Sequence, residues 1–336
     1  MKKDEIKKIL IEEIRAGRYP TNVRLPSEYE LADRLGVNRI TLNKAVGELV
    51  ADGWLRRGTS TRDGTYIQDR SLAAHGTIGI MVPRGDSYID GILHGIIDSA
   101  SQNLWLPLLQ IPVKEEFRQS EQFLRANHAE GILAATFGDF TLNGPGVLID
   151  SLNRDNPNIS DIAADMLTGS REMAQLLLKA GHREIVFILS SSFPFMRNPR
   201  CAGFYEAFRE AGISNPEQRF FYLGEYSVEQ LVRRILKRFP QTTALVCHSD
   251  YETLKVRDAM RKLHPEKADR ITYAGFGNLD TIQKVFRFLT FDQHPYEIGQ
   301  RAMELFLDWK YQGVVRHELI PGTILNQDCI QAPCSN

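Results

Sequence analysis

Apolar and polar positions change their period along this chain. Between residues 4 and 16, Ile6, Ile9, Leu10 and Ile14 recur at helical spacing among charged residues and stop at Gly17, predicting an amphipathic helix. After the turn Tyr19-Pro20-Thr21, residues 25–57 (LPSEYELADRLGVNRITLNKAVGELVADGWLRR) read as two short helices and a strand. Ser27 and Glu30 form an S-x-x-E capping box behind Pro26, Leu31 and Leu35 share one face, and Gly36 stops that helix. Asn38 is a good N-cap for the next one. There Leu42, Ala45, Val46 and Leu49 face inward, leaving Arg39, Ile40, Asn43 and Lys44 on or beside the opposite face. Gly53 ends it. Trp54 to Arg57 and Thr65 to Ile67 then flank a tip rich in Gly, Thr and Ser, which predicts a hairpin.

Residues 69–76 read as a linker, and beyond them short apolar runs alternate with helical stripes. Strands are expected at Ile78–Val82, Leu106–Ile111, Gly131–Ala135, Val147–Ile149, Ile185–Leu189, Ala244–Cys247 and Ile271–Ala274. Helices fall between them: one on Ile89, Ile92, Leu93, Ile96, Ile97 and Ala100, one over Glu115–Asn127, one through Met173 and Leu177, and others from Arg200 and Tyr251. Such repetition over about 250 residues implies parallel sheets covered by helices on both faces, and the length implies two lobes. The expected fold class is therefore α/β: a helix-turn-helix with a hairpin wing at residues 1–68, then a two-lobed parallel-sheet domain at 77–330.

Charge sharpens the division. Residues 1–70 hold 14 Lys and Arg against 11 Asp and Glu, a small basic excess, while the rest of the chain is acidic. No run of about 18 apolar residues occurs, and the first residues carry acids inside their apolar stretch, so neither a membrane span nor a secretory signal is expected. Cys201, Cys247, Cys329 and Cys334 lack metal-binding spacing, which implies reduced thiols in a cytoplasmic protein with no metal and no cofactor. No G-x-S-x-G, Walker A, HExxH or post-strand GxGxxG pattern is present, and an enzyme is not expected.

Two groups of residues carry the candidate chemistry. A helix that buries one side and offers Arg39 in its first turn has the layout of a recognition helix for a major groove, and Arg62 at the hairpin tip is placed to reach phosphates. In open α/β sheets, ligands bind at the carboxyl ends of strands. Those ends carry Arg84, Asp86 and Tyr88, then Phe137, then Asp150, then Phe195 and Arg200, then Asp250, and finally Asn278 and His294. Carboxylates and guanidinium groups bind paired hydroxyls and aromatic rings cover sugar C–H faces, so this set suits a polyhydroxyl ligand.

The string LPSEYELA, followed by G-V-N-R-I-T and A-D-G-W-L, resembles the winged-helix domain of GntR-type transcription regulators. Thr77-Ile-Gly-Ile-Met-Val-Pro, Ala180-Gly-His-Arg-Glu-Ile-Val-Phe-Ile, Arg200-Cys-Ala-Gly-Phe, Tyr273-Ala-Gly-Phe, Leu289-Thr-Phe and Leu319-Ile-Pro resemble the sensor of LacI-type regulators and periplasmic sugar-binding proteins. The first resemblance implies DNA contacts from Ser27, Glu28, Asn38, Arg39 and Thr41, and from Asn43, Lys44 and Arg57. Tyr29 and Asn43 stand where that family often has Arg. The second implies that Asp150, Arg200, Asp250 and Asn278 hold a sugar, with Ser249, Gly277 and His294 departing from the usual residues. Together they imply a repressor that binds a pseudo-palindromic double-stranded operator as a homodimer and answers to a mono- or disaccharide effector. A non-sugar metabolite in the sensor is the alternative, followed by a sugar-binding or sugar-converting protein with an accessory helix-turn-helix.

Overall fold

A computed structural model describes residues 2–59, 63–68, 74–85, 87–136, 140–151, 156–189, 198–224 and 226–333. The chain folds as two compact units, Met1–His75 and Gly76–Asn336.

The first unit contains α1 (Lys3–Arg15), α2 (Glu28–Leu35), α3 (Arg39–Ala51) and the antiparallel pair β1 (Leu55–Arg57) and β2 (Thr65–Ile67). The capping signals act as read. Ser27 Oγ accepts from Glu30 N at 3.2 Å while Glu30 Oε2 accepts from Ser27 N at 2.7 Å. Gly36 stops α2 in the left-handed region at φ 61°, where a Cβ would be disfavoured. Asn38 Oδ1 then accepts from Ile40 N at 2.8 Å to open α3. Ile6, Leu10, Leu25, Leu31, Leu42, Val46, Leu49, Leu55 and Ile67 form one apolar core. Residues 23–25 join the hairpin edge, with Leu25 N donating to Thr65 O at 2.8 Å and Ile67 N to Val23 O at 3.0 Å.

The second unit runs β3 (Gly76–Met81), α4 (Ser87–Gln102), β4 (Trp105–Gln110), α5 (Phe117–Ala126), β5 (Ala129–Ala135), β6 (Gly146–Ile149) and β7 (Ser160–Ala164). It continues with α6 (Met166–Lys179), β8 (Ile185–Leu189), α7 (Pro199–Glu210), β9 (Phe220–Tyr222), α8 (Val228–Arg238), β10 (Ala244–Cys247), α9 (Asp250–Leu263) and α10 (Pro265–Ala268). The last elements are β11 (Thr272–Phe276), α11 (Asp280–Gln283), β12 (Leu289–Asp292), α12 (Pro295–Gln312), β13 (His317–Ile320) and β14 (Thr323–Leu325).

Among the described residues two six-stranded sheets result, ordered β13-β7-β6-β5-β3-β4 and β14-β12-β11-β10-β8-β9. Their pairs are parallel except β12–β14. The chain passes between the sheets three times, at 164–166, 292–295 and 320–323, and each lobe is completed by later segments. The crossings are tied together: Asp165 N donates to Ile320 O at 2.8 Å, and His294 Nε2 lies 2.9 Å from Thr323 Oγ1.

Aromatic residues fill the second lobe, where Phe187 meets Phe204, Phe220 and Phe276, and Phe276 meets Phe291. In the first lobe, α4 and α12 touch backbone to backbone: a Cβ at Gly95 would stand 2.1 Å from Tyr296 O, and one at Gly299 equally close to Ile92 O. No described helix is long and apolar enough to cross a membrane.

Several elements escaped the hydrophobic pattern. In β7, Ser160 and Asp161 interrupt the apolar run, yet they are only 1% and 2% exposed. Neighbouring residues satisfy them: Arg316 N donates to Ser160 Oγ at 3.2 Å, and His317 Nδ1 bonds the Asp161 carboxylate. Strands β9 and β14 are three residues long, too short for a period to register, and β13 and β14 sit at sheet edges with exposed positions.

Candidate nucleic-acid and effector sites

In the first unit, the N-terminal end of α3 carries the candidate cations. Arg39 is its first residue, and both Arg39 and Lys44 are exposed, with no hydrogen bond or ion pair among the described residues. Thr41 is half-buried. The capping bonds of Ser27 and Asn38 use their side-chain oxygens, leaving the Ser27 hydroxyl proton and Asn38 Nδ2 as donors. The structure gathers two further candidates around the carboxylate of a third. Glu28 accepts from Asn43 Nδ2 at 2.6 Å and from Arg57 Nη1 at 3.2 Å, so a residue of α2 holds one of α3 and one of the hairpin. Arg62 lies outside the described residues.

A bidentate pair braces this surface from behind. Arg34 donates to both oxygens of Glu13 at 2.6 and 2.7 Å, linking α2 to α1. The Arg34 hydrogen bonds hold the Glu13 carboxyl below its ordinary value against the opposing effect of burial.

In the second unit, the candidates follow the carboxyl ends of strands in both lobes. Asp150 ends β6 at φ 51°, Asn278 follows β11 at φ 48° and His294 follows β12 at φ 52°. Asn, Asp and His tolerate the left-handed region better than most residues, and there they turn the chain sharply at the strand ends. Tyr88, in the first turn of α4, donates its hydroxyl to Asp150 Oδ2 at 2.5 Å. Burial, then the Asp150 charge, pushes the phenol well above its ordinary value, so it stays protonated as a donor.

Arg200 enters from the other lobe, on the first turn of α7, whose N-cap Asn198 accepts from Arg200 N at 3.1 Å. Its guanidinium lies over the Phe276 ring at 5.4 Å. Burial lowers its affinity for the proton, opposed by Tyr88 and Asp150. Its Nε is inaccessible to solvent and has no hydrogen-bond partner among the described residues, and the same holds for Thr136 Oγ1 at the end of β5.

The remaining candidates separate into other groups. Asp250 is 0% exposed, and its carboxylate accepts from Leu279 N at 2.9 Å, Gln283 Nε2 at 3.1 Å and Thr290 Oγ1 at 2.7 Å. That makes it an internal brace for the segment after β11. Asn278 Nδ2 donates to Asp292 Oδ2 at 2.9 Å, while Asp292 Oδ1 accepts from His294 N at 2.8 Å. The His294 ring is turned to Thr323. Arg84 is exposed and has no partner among the described residues, and Asp86, Phe137 and Phe195 lie outside them.

Sequence reasoning missed two neighbours of the cluster, Phe276 beneath Arg200 and the buried Gln293, which hydrogen-bonds Tyr88; it also missed Thr136, whose amide donates to Ile149 O at 3.4 Å. Gln293 is legible as a polar residue directly following β12, one place before His294.

Residues 2–67 match the family of bacterial regulatory proteins, gntR family, and residues 174–325 match the periplasmic binding protein-like domain. An arabinose metabolism transcriptional repressor from Halalkalibacterium halodurans is 25% identical over 327 residues, spanning 84% of this chain and 82% of that protein. Among solved structures, a LacI family transcriptional regulator from Enterococcus faecium with bound ribose aligns at TM-score 0.64 and 19% identity, over 77% of this chain and 100% of that one. The complex of the transcriptional regulator CelR with cellobiose aligns at TM-score 0.63 and 17% identity, over 90% of this chain and 99% of that one. At these identities the structural likeness is one of fold.

Proposed function

Since the chain joins a gntR-family DNA-binding domain to a periplasmic-binding-protein-like domain, we propose that it is a transcription repressor whose operator affinity is set by a sugar held between the two lobes of its sensor. The reading rests most on Arg200. A guanidinium nitrogen buried without a partner among the described residues, beside Asp150 and Tyr88 from the opposite lobe, calls for an acceptor such as a ring or hydroxyl oxygen. Asp150 accepts from sugar hydroxyls, and Phe276, buried beneath the Arg200 guanidinium, supports that side chain. Asn278 and Asp292 pair with each other at neighbouring strand ends, and Asp250 keeps their supporting segment in place. Relatives named as an arabinose metabolism repressor and as regulators bound to ribose and cellobiose support a mono- or disaccharide.

On the DNA side, Arg39 is the reader of a guanine edge and Lys44 a phosphate contact, with Asn43 and Arg57 positioned by Glu28. The protein works in the cytoplasm as a homodimer on a pseudo-palindromic operator. Effector and operator are coupled by linkage: a sugar that favours one sensor conformation changes operator affinity, and the operator changes sugar affinity by the same factor. The test is a thermal-shift screen of the full chain against pentoses, hexoses and disaccharides, beside retardation of DNA from the protein's own gene neighbourhood. A sugar that raises the melting temperature and alters DNA retardation, with no conversion of that sugar, is expected. Turnover of the sugar, or retardation indifferent to every stabilising sugar, would overturn the reading.

A further inference from the structure

Helix α3 carries an apolar residue where its burial pattern has no use for one. Leu42, Ala45, Val46 and Leu49 are fully buried, whereas Ile40 is 68% exposed. A single exposed hydrophobic residue is ordinary on a protein surface, so exposure alone decides nothing. The surroundings of this one decide more. Ile40 follows Arg39, and Asn43 and Lys44 lie three and four residues on, so they share its face of the helix.

The same stripe continues to Gly47, an exposed glycine in a helix interior. A Cβ there would meet nothing within 4 Å, so packing inside the protein does not ask for its small size. The stripe thus sets a cation, a branched aliphatic group, an amide, a second cation and an open notch along one face. That arrangement suits close approach to a polyanion presenting base edges. In a major groove the apolar feature of those edges is the 5-methyl group of thymine.

We infer that Ile40 is a specificity residue that reads the 5-methyl group of a thymine beside the base contacted by Arg39. The inference rests on the DNA-reading function proposed for α3 and adds the base identity read by its neighbour. Polar residues at positions 39, 43 and 44 donate to or accept from base edges and phosphates. Ile40 offers none of that chemistry, and the contact open to it is removal of methyl and aliphatic surface from water.

The experiment uses the full chain. A preferred site is first selected from a random duplex pool. Each thymine of that site is then replaced singly by deoxyuridine, which removes the methyl group and leaves the pairing edge intact. Wild type and Ile40→Ala are titrated against every duplex, and melting curves confirm that the exposed substitution leaves folding unchanged.

At one thymine per half-site, deoxyuridine should weaken wild-type binding about fourfold, the worth of one buried methyl group. Ile40→Ala should bind the thymine site more weakly and lose nothing further at deoxyuridine. A selected site with no methyl-sensitive thymine, or an Ile40→Ala protein as methyl-sensitive as wild type, would overturn this inference alone. A pool that yields no enriched site would overturn the DNA-reading function and the inference with it.

Discussion

The hydroxyl of Tyr88 donates to Asp150 across 2.5 Å, joining the first turn of α4 to the end of β6, with Arg200 of the opposite lobe close enough to act on both. A buried phenol that satisfies a carboxylate is a hydrogen bond to a charged group. Tyr88→Phe should therefore destabilise the sensor by about 1.5–3 kcal/mol. Differential scanning calorimetry of the full chain checks this, and a sensor transition that does not move would mean the bond is matched in the unfolded chain.

Arg200→Ala should weaken binding of the stabilising sugar by about 1.5–3 kcal/mol while leaving DNA affinity of the sugar-free protein unchanged. Arg200→Lys should fail to restore it, because one ammonium cannot reproduce the planar fork of donors. Titration calorimetry on both variants decides the matter. Undiminished sugar affinity in the Ala variant would put the residue outside the ligand's reach.

Glu28 holds Asn43 and Arg57 together on the surface proposed to read DNA. Removing the carboxylate frees Arg57 to follow any phosphate and takes away a negative charge. Glu28→Ala is expected to bind scrambled DNA more tightly and to lose about tenfold in the ratio of operator to scrambled affinity. Fluorescence anisotropy on both duplexes measures the ratio.

Gly47→Ala should stabilise the winged-helix domain by about 0.5–1 kcal/mol, since alanine in a helix interior loses less backbone entropy and its methyl meets open space. The unfolding transition of the first unit in the full chain is the readout. Weaker operator binding in the same variant would fit a close approach at this notch.

The Glu13–Arg34 pair makes the first unit sensitive to acid. The Glu13 carboxyl is held below its ordinary value of 4.5 chiefly by the Arg34 hydrogen bonds. Its stabilisation is thus fully present above pH 4.5 and is lost as pH falls through the lower folded value. Melting temperatures recorded downward from neutral pH should fall less steeply for Glu13→Gln than for wild type, and parallel curves would remove the pair from the acid response.

What this sequence determined by itself is the part governed by neighbours within a turn or two. The capping box of Ser27 and Glu30, the left-handed stop at Gly36 and the cap at Asn38 each depend on groups at most three residues apart. The two helices and their buried face were therefore readable, along with the outward Arg39 and Lys44. The alternating apolar runs were equally local, and they implied two parallel sheets. Only the tertiary structure decided the rest. Tyr88, Asp150 and Arg200 come from two lobes, and no period records that a phenol and a carboxylate 62 positions apart are hydrogen-bonded. Asp250 stands next to a strand end, and only the fold brings Thr290, Gln283 and the Leu279 amide to its carboxylate. Ser160 and Asp161 interrupt an apolar run, and only the fold brings Arg316 and His317 to satisfy them. A polar side chain's role depends on which partners the fold delivers to it, since burial is tolerated where hydrogen bonds are made and unfavourable where they are not.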